Sequence, residues 1–137
     1  MNRVYLDMVG DLFHVGHLNI IKKASELGDY LIVGVHSDEA VASYKRLPII
    51  NLEDRVSIIE SCRYVDEVIP RAPLLITEDF INKHNINLIV HGSDRSKAIN
   101  EQHEVPLQLG IMRYLPYTAG VPTSDLISRI AYRTSTL

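Results

Sequence analysis

Cysteine is nearly absent. Cys62 is the one thiol in the chain, so no internal disulfide can form and a disulfide scaffold is excluded. It falls in an apolar helical pattern, which suits a small buried hydrophobe in a reducing compartment, and a cytoplasmic protein is expected. Long hydrophobic runs are missing as well. No stretch approaches the ~20 apolar residues of a membrane span, and acidic Asp7 and Asp11 near the start are unlike a secretory signal. A soluble protein with no membrane span is therefore expected. Charge of one sign is also lacking: 14 basic against 17 acidic residues leave a net charge of -3. That balance gives no general attraction to nucleic acid or anionic lipid, so any polyanionic ligand must be drawn by a local cluster. Finally, no two glycines have G-x-G spacing and there is no G-x-x-x-x-G-K, which excludes the dinucleotide and P-loop cradles.

What is present has the balance of one globular domain over residues 1–137, with 46% hydrophobic and 23% charged residues. Arg3 to Met8 and Tyr30 to His36 predict buried strands. Between them Ile20, Ile21, Ala24 and Leu27 form a helical stripe that Gly28 ends. Leu52 to Cys62 predicts a helix with Val56, Ile59 and Cys62 inward, followed by a strand over Val65 to Ile69, a helix over Glu78 to His84 and a strand over Asn87 to His91. The last third predicts a helix over Glu101 to Leu109, a strand over Ile111 to Pro116, and a helix over Ser124 to Tyr132 with Leu126, Ile127 and Ile130 inward. Strands separated by helices need parallel crossovers, which cover both faces of a sheet. The fold class is α/β: a single doubly wound, Rossmann-like domain with a parallel sheet of about five strands. Ligands of such sheets bind beyond the carboxyl ends of the strands, so the residues after each strand carry the interest.

Directly after the first strand stands Asp11-Leu12-Phe13-His14-Val15-Gly16-His17. By composition alone the H-x-G-H spacing arises on the order of once in a hundred such chains, so it is informative. Gly16 lets the backbone come close to a ligand at a helix start, where free N–H groups and the helix dipole favour an anion. His17 shares the stripe of Ile20 and Ala24, and His14 can converge with it. Two imidazoles at an anion site can donate hydrogen bonds to a phosphoryl group as its charge builds. Two blander readings compete: half of a zinc site, for which no Cys partner or Glu-x-x-His is present, and a capping histidine beside a core histidine.

These residues, with Gly28-Asp29-Tyr30-Leu31-Ile32-Val33-Gly34-Val35, Ser37-Asp38-Glu39, Glu53-Asp54-Arg55, Arg63 to Pro70, His91-Gly92-Ser93-Asp94 and Tyr114 to Ser124, resemble the cytidylyltransferase family of nucleotidyltransferases over nearly the whole chain. The resemblance implies joining CTP to a small phosphorylated alcohol with release of pyrophosphate, by in-line attack of a phosphate oxygen on the α-phosphorus and no covalent enzyme intermediate. Positioning and charge stabilisation would do the catalysis. His14 and His17 match the family's H-x-G-H and would stabilise the α-phosphoryl transition state. Lys45 matches the family's lysine in the loop after the second strand, and Arg46 adds charge; both would contact phosphates, although solvation is the simpler reading of a surface basic pair. Thr123 and Ser124 match the segment that opens the last helix and would hold the leaving pyrophosphate, or serve only as a helix cap. Val9, Gly10, Asp11, Gly16, Arg63, His91, Asp94, Tyr117 and Gly120 complete the implied nucleotide and phosphate contacts. Mg²⁺ is expected with CTP, no protein-held metal is expected, and the family's precedent implies a homodimer through Arg63 to Pro70.

Several positions depart from the family pattern. Met8 and Gly10 replace the glycine and phenylalanine of G-x-F-D, Arg95 replaces a tryptophan, Pro122 replaces a serine, and Tyr117 replaces an arginine. The stretches Asp7 to Ile21, Ala40 to Pro48 and Pro116 to Gly120 look like cytidylyltransferase domains of phosphonate biosynthesis, while Cys62 to Pro73 looks more like the choline- and ethanolamine-phosphate enzymes. The expected acceptor is a small phosphonate such as 2-hydroxyethylphosphonate, or a phosphorylated alcohol. An adenylyltransferase of the same superfamily and an inactive nucleotide-binding sensor are the alternatives.

Overall fold

The structure, a computed structural model, describes residues 1–92, 102–116 and 122–136. In chain order its elements are β1 (Arg3–Met8), α1 (Val15–Ser25), β2 (Tyr30–Val35), α2 (Asp38–Ala42), α3 (Leu52–Glu60), β3 (Glu67–Pro70), α4 (Glu78–Lys83), β4 (Leu88–Gly92), α5 (Glu104–Gln108), β5 (Met112–Leu115) and α6 (Thr123–Ser135).

Alternation along the strands sends side chains into two separate cores. Val4 and Leu6 of β1, Leu31, Val33 and Val35 of β2 and Val90 of β4 meet Ile20, Ile21 and Ala24 of α1 and Leu52 and Ile59 of α3 on one face. Tyr5, Ile32 and Ile89, each one residue out of phase, meet Ile76, Ile81 and Ile86 on the other. A fully buried aliphatic side chain contributes roughly 1.5–3 kcal/mol. Both faces are therefore held by apolar burial, the condition for a parallel sheet. Gly34 makes room between them: a Cβ there would lie 2.8 Å from the Ala72 side chain and would collide with the Tyr5 hydroxyl.

The five strands lie in the order β3-β2-β1-β4-β5, and every pairing is parallel. The chain builds outward from β1 through β2 to β3, then crosses to the other side of β1 for β4 and β5. Strand order thus reverses between β1 and β4, which opens a crevice above their carboxyl ends. The doubly wound sheet has the expected class and strand number.

The helices begin where side chains satisfy free N–H groups. Ser37, Asn51 and Thr77 each accept a hydrogen bond from the backbone three residues on, and acidic residues follow in each first turn. Some boundaries differ from expectation. Val65 and Asp66 precede β3 because Val65 N–H closes a turn onto Cys62 O at 3.0 Å, while the Asp66 carboxylate accepts Leu31 N–H at 2.8 Å. Cys62 lies past the end of α3 and is half-buried rather than buried. The short α2 was not foreseen; its Ser37 cap decides it. In α6 no residue is buried and Ile130 is 55% exposed, contrary to the inward position expected for it.

Candidate active site

Beyond Met8 the chain must turn sharply to enter α1. Gly10 takes φ +69°, and a Cβ there would lie 2.9 Å from Ile59 Cδ1, so glycine serves both the left-handed backbone and the tight approach to the core. Asp11, 4% exposed, points back into the protein, and its two carboxylate oxygens accept the N–H groups of Ile49 and Ile50 at 2.9 Å each. Its carboxylate therefore ties the loop before α3 to the end of β1. The Val9 carbonyl accepts from Arg55 Nη1 at 2.7 Å.

His14 is the N-cap of α1. Its Nδ1 accepts Gly16 N–H at 3.0 Å, and His17 Nδ1 accepts His14 N–H at 3.1 Å, a reciprocal capping box made of two imidazoles. His14 caps the helix as the blander reading expects, but His17, half-buried, caps as well instead of sitting in the core, and this has a chemical consequence. A ring nitrogen that accepts a backbone N–H cannot carry the proton, so both neutral rings are fixed with the proton on Nε2. The His14 Nε2–H donates to Thr123 Oγ1 at 3.2 Å, and the Thr123 hydroxyl donates to Asp11 O at 3.1 Å. The His17 Nε2–H makes no hydrogen bond among the described residues. The rings lie 4.0 Å apart between centroids, and Phe13 stacks on His17 at 5.5 Å. Gly16 is explained by the same geometry: a Cβ there would lie 2.8 Å from His14 Cε1, so glycine lets the His14 ring fold over the helix start.

Burial pushes the His17 imidazole down to about 4; the neighbouring His14 adds to this and Asp11 partly opposes it. Burial lowers His14 as well. Near neutral pH the pair consists of uncharged N–H donors, a form that leaves the box intact.

Thr123 opens α6, and its hydroxyl turns toward His14 instead of capping its own helix. The N-cap is Pro122, which offers no side-chain acceptor. The N–H groups of Thr123 and Ser124 have no acceptor among the described residues, so the positive end of a 13-residue helix meets the histidine pair through Thr123.

Other expected contacts lie apart. Lys45 and Arg46 are exposed in the loop after α2, with Lys45 Nζ 5.6 Å from the Tyr44 ring centre and no contact to the histidines. Arg63 is exposed beside Tyr64, to whose hydroxyl it donates at 3.0 Å, and it lines a shallow groove with Phe13, Leu18, Ile58 and Cys62. Asp94, Tyr117 and Gly120 lie outside the described residues.

Two sets of contacts escaped sequence reasoning, although Arg55 and His91 stand in segments that carry the resemblance. The first is that of Arg55, wholly buried, which donates to Ile50 O at 2.9 Å, Val9 O at 2.7 Å and His36 O at 2.9 Å and pairs with Asp38. One guanidinium thus joins the loops that follow β1, β2 and α2. The second is a polar cluster at the switch point around Asp7, 3% exposed at the end of β1. His91 Nδ1 lies 2.8 Å from its Oδ1, with His36 Nε2 at 3.5 Å and His103 Nε2 at 3.9 Å from its Oδ2. Burial would push the Asp7 carboxyl up, but the imidazoles of His103, His36 and His91 outweigh it and hold the acid well below the usual range. Burial would lower His36, yet Asp7 and the Ala72 carbonyl raise it. His91, which the resemblance implies as a nucleotide contact, places its Nδ1 on Asp7. The cluster draws on residues 7, 36, 91 and 103, a spacing with no sequence signature.

The fold and this site define a class: a doubly wound α/β domain with two reciprocally capped imidazoles at the helix start after its first strand. Residues 10–119 match the model of the cytidylyltransferase-like family, and the chain belongs to that family. Ethanolamine-phosphate cytidylyltransferase of Dictyostelium discoideum is 43% identical over 133 residues, covering 93% of this chain and 37% of the relative. Choline-phosphate cytidylyltransferase A of Rattus norvegicus is 36% identical over 132 residues, again 93% of this chain and 36% of the relative. The chain therefore spans about a third of the length of the curated relatives it matches. Among solved structures, the lipopolysaccharide core biosynthesis protein of Thermoplasma volcanium superposes with a TM-score of 0.71 at 24% identity, over 88% of this chain and 99% of that one. This likeness bears on the fold alone.

Proposed function

We propose that the chain is a CTP-dependent nucleotidyltransferase that moves CMP from CTP to a small phosphorylated alcohol and releases pyrophosphate. The observation that carries this reading is the capping box of His14 and His17, which fixes two Nε2–H donors beside the open start of α6, in a chain 43% identical to an ethanolamine-phosphate cytidylyltransferase. In the reaction an acceptor oxygen attacks the α-phosphorus and the bond to the bridging oxygen of pyrophosphate breaks. Negative charge grows on the α-phosphoryl oxygens and on the leaving group. His17 Nε2–H meets the first, with His14 beside it once a phosphoryl oxygen replaces Thr123 as its acceptor; the Thr123 and Ser124 amides meet the second. Lys45 and Arg46, exposed on their loop, collect the triphosphate.

Mg²⁺ arrives with CTP as part of the substrate. The described side chains close enough together to hold an ion, Asp7, His91 and His103, form a nitrogen-rich set, whereas Mg²⁺ prefers six oxygens. The phosphates would hold it.

The finer reading is a phosphonate acceptor. Its support is Tyr117, which stands where the phosphate-ester enzymes resembled have arginine: a tyrosine offers one neutral donor in place of a bidentate cation. The test is pyrophosphate release with each of the four nucleoside triphosphates against phosphoethanolamine, phosphocholine, glycerol 3-phosphate, 2-hydroxyethylphosphonate and 2-aminoethylphosphonate. CTP with a phosphorylated alcohol or phosphonate should give turnover. ATP preference would indicate an adenylyltransferase, and CTP binding without pyrophosphate a sensor. A higher kcat/KM for the phosphonates, narrowed in Tyr117→Arg, supports the finer reading; preference for a phosphate ester, unchanged in that variant, defeats it.

A further inference from the structure

Asp7 and the three imidazoles around it do not balance as a hydrogen-bonded cluster. His36 Nδ1 lies 3.1 Å from the Ala72 carbonyl, which can only accept, so that nitrogen carries a proton and Nε2 is the atom turned to Asp7. His103 is 0% exposed; its Nδ1 faces the Tyr114 hydroxyl at 3.4 Å, while its Nε2 has no hydrogen-bond partner among the described residues. At 3.9 Å from Asp7 Oδ2, that Nε2 is too far for a hydrogen bond and too close for a water between them. An orphaned buried nitrogen destabilises the fold unless something occupies the gap.

A cation fills it. One ligand atom from each of Asp7, His91 and His103 lies within 4.8 Å of the others, so small side-chain movements bring all three to the ~2.0–2.2 Å that imidazole and carboxylate ligands adopt around zinc. Two imidazoles and one carboxylate are a borderline donor set, suited to Zn²⁺ or Co²⁺ and poorly suited to Mg²⁺ or Ca²⁺. The surroundings also fit a metal centre: His103 Nδ1 is oriented by Tyr114 and the Asp7 carboxylate is backed by His36, the outer contacts that orient ligating imidazoles and carboxylates. The ligands come from β1, from β4 and from the residue before α5, across the point where strand order reverses.

We propose that Asp7, His91 and His103 bind one divalent transition-metal ion of the zinc class, at a site separate from the histidine pair of α1. Three protein ligands leave a fourth position for a water molecule. The site joins segments remote in sequence, so the bound ion stabilises the fold.

The test is equilibrium dialysis of the chelator-stripped full chain against micromolar Zn²⁺, with Co²⁺ absorption reporting geometry and thermal unfolding reporting linkage. About one equivalent of Zn²⁺ per chain, a visible Co²⁺ band typical of four-coordinate nitrogen and oxygen ligands, and a raised Tm are expected. His103→Gln and Asp7→Asn should each weaken binding at least about tenfold, while His14→Asn leaves it unchanged. Because the wild-type stoichiometry and spectrum are read first, a variant that fails to fold does not remove the test. No stoichiometric Zn²⁺ or Co²⁺ in the wild-type chain overturns the proposal, as does binding lost in His14→Asn but kept in folded His103→Gln. No nucleotide is present, so the result is independent of the transfer reaction.

Discussion

At the residue scale, His14 has two separable duties. It caps α1 through Nδ1 and presents Nε2 to the site, so substitutions can divide cap from chemistry. His14→Asn keeps a good capping residue and should unfold within a few tenths of a kcal/mol of wild type, whereas His14→Ala should lose about 1 kcal/mol. Both should lower kcat by ~10² to 10³, as should His17→Ala. Urea unfolding and single-turnover rates check the two duties; rates within a few-fold of wild type would remove these histidines from the reaction. The second prediction concerns pH. Folding holds His17 near 4 through burial, while an unfolded histidine titrates near 6.5. Below 6.5 the unfolded chain therefore binds a proton that the folded chain refuses, so this residue's contribution to stability is full above 6.5 and falls as pH drops toward 4. Unfolding free energies of wild type and His17→Gln, compared from pH 7 to 4.5, should converge as the acid side is approached. A constant difference would contradict the burial of a neutral ring.

At the scale of elements, the site is made by loops that individually have no reason to meet. Arg55 joins three of them through four hydrogen bonds, and removing such a buried cation is costly. Arg55→Met should destabilise by roughly 3–5 kcal/mol and, in the surviving folded protein, raise KM for CTP, because the Lys45 loop loses its anchor at Ile50. Lys45→Ala should instead raise KM and lower kcat with a Tm within a degree or two of wild type, since the side chain is exposed and its ammonium meets only the neighbouring Tyr44 ring, at 5.6 Å, among the described residues. Steady-state kinetics beside thermal melts tell the two apart: an equal Tm loss in both would show that the loop's cation is structural.

At the scale of the whole molecule, we expect a homodimer through the face carrying Arg63 to Pro70, which includes the edge strand β3 and lies near exposed Ile58. Light scattering should give twice the 15.5 kDa chain mass, and a monomer at micromolar concentration would refute it. Much of this molecule was legible in the sequence because its information is local and periodic. Continuous apolar runs such as Leu31 to Val35 marked buried parallel strands, and the alternation with helices required crossovers. H-x-G-H was readable because its two histidines sit three apart on one helix start. Ile130 was misread because periodicity shows that a face is apolar but not that anything covers it. Arg55 and His91 stand in segments that carry the family resemblance, but the contacts of Arg55 and the grouping around Asp7 were not legible: their partners are 5 to 96 residues away along the chain. Only strand order decides that residues 7, 36, 91 and 103 converge, since the reversal between β1 and β4 brings those strand ends side by side, and a buried polar group takes whatever partner the fold delivers. Elements, the two apolar faces and the paired imidazoles follow from local order along the chain; which polar side chains lose water together follows from packing, because burial belongs to the assembled sheet and not to any segment of it.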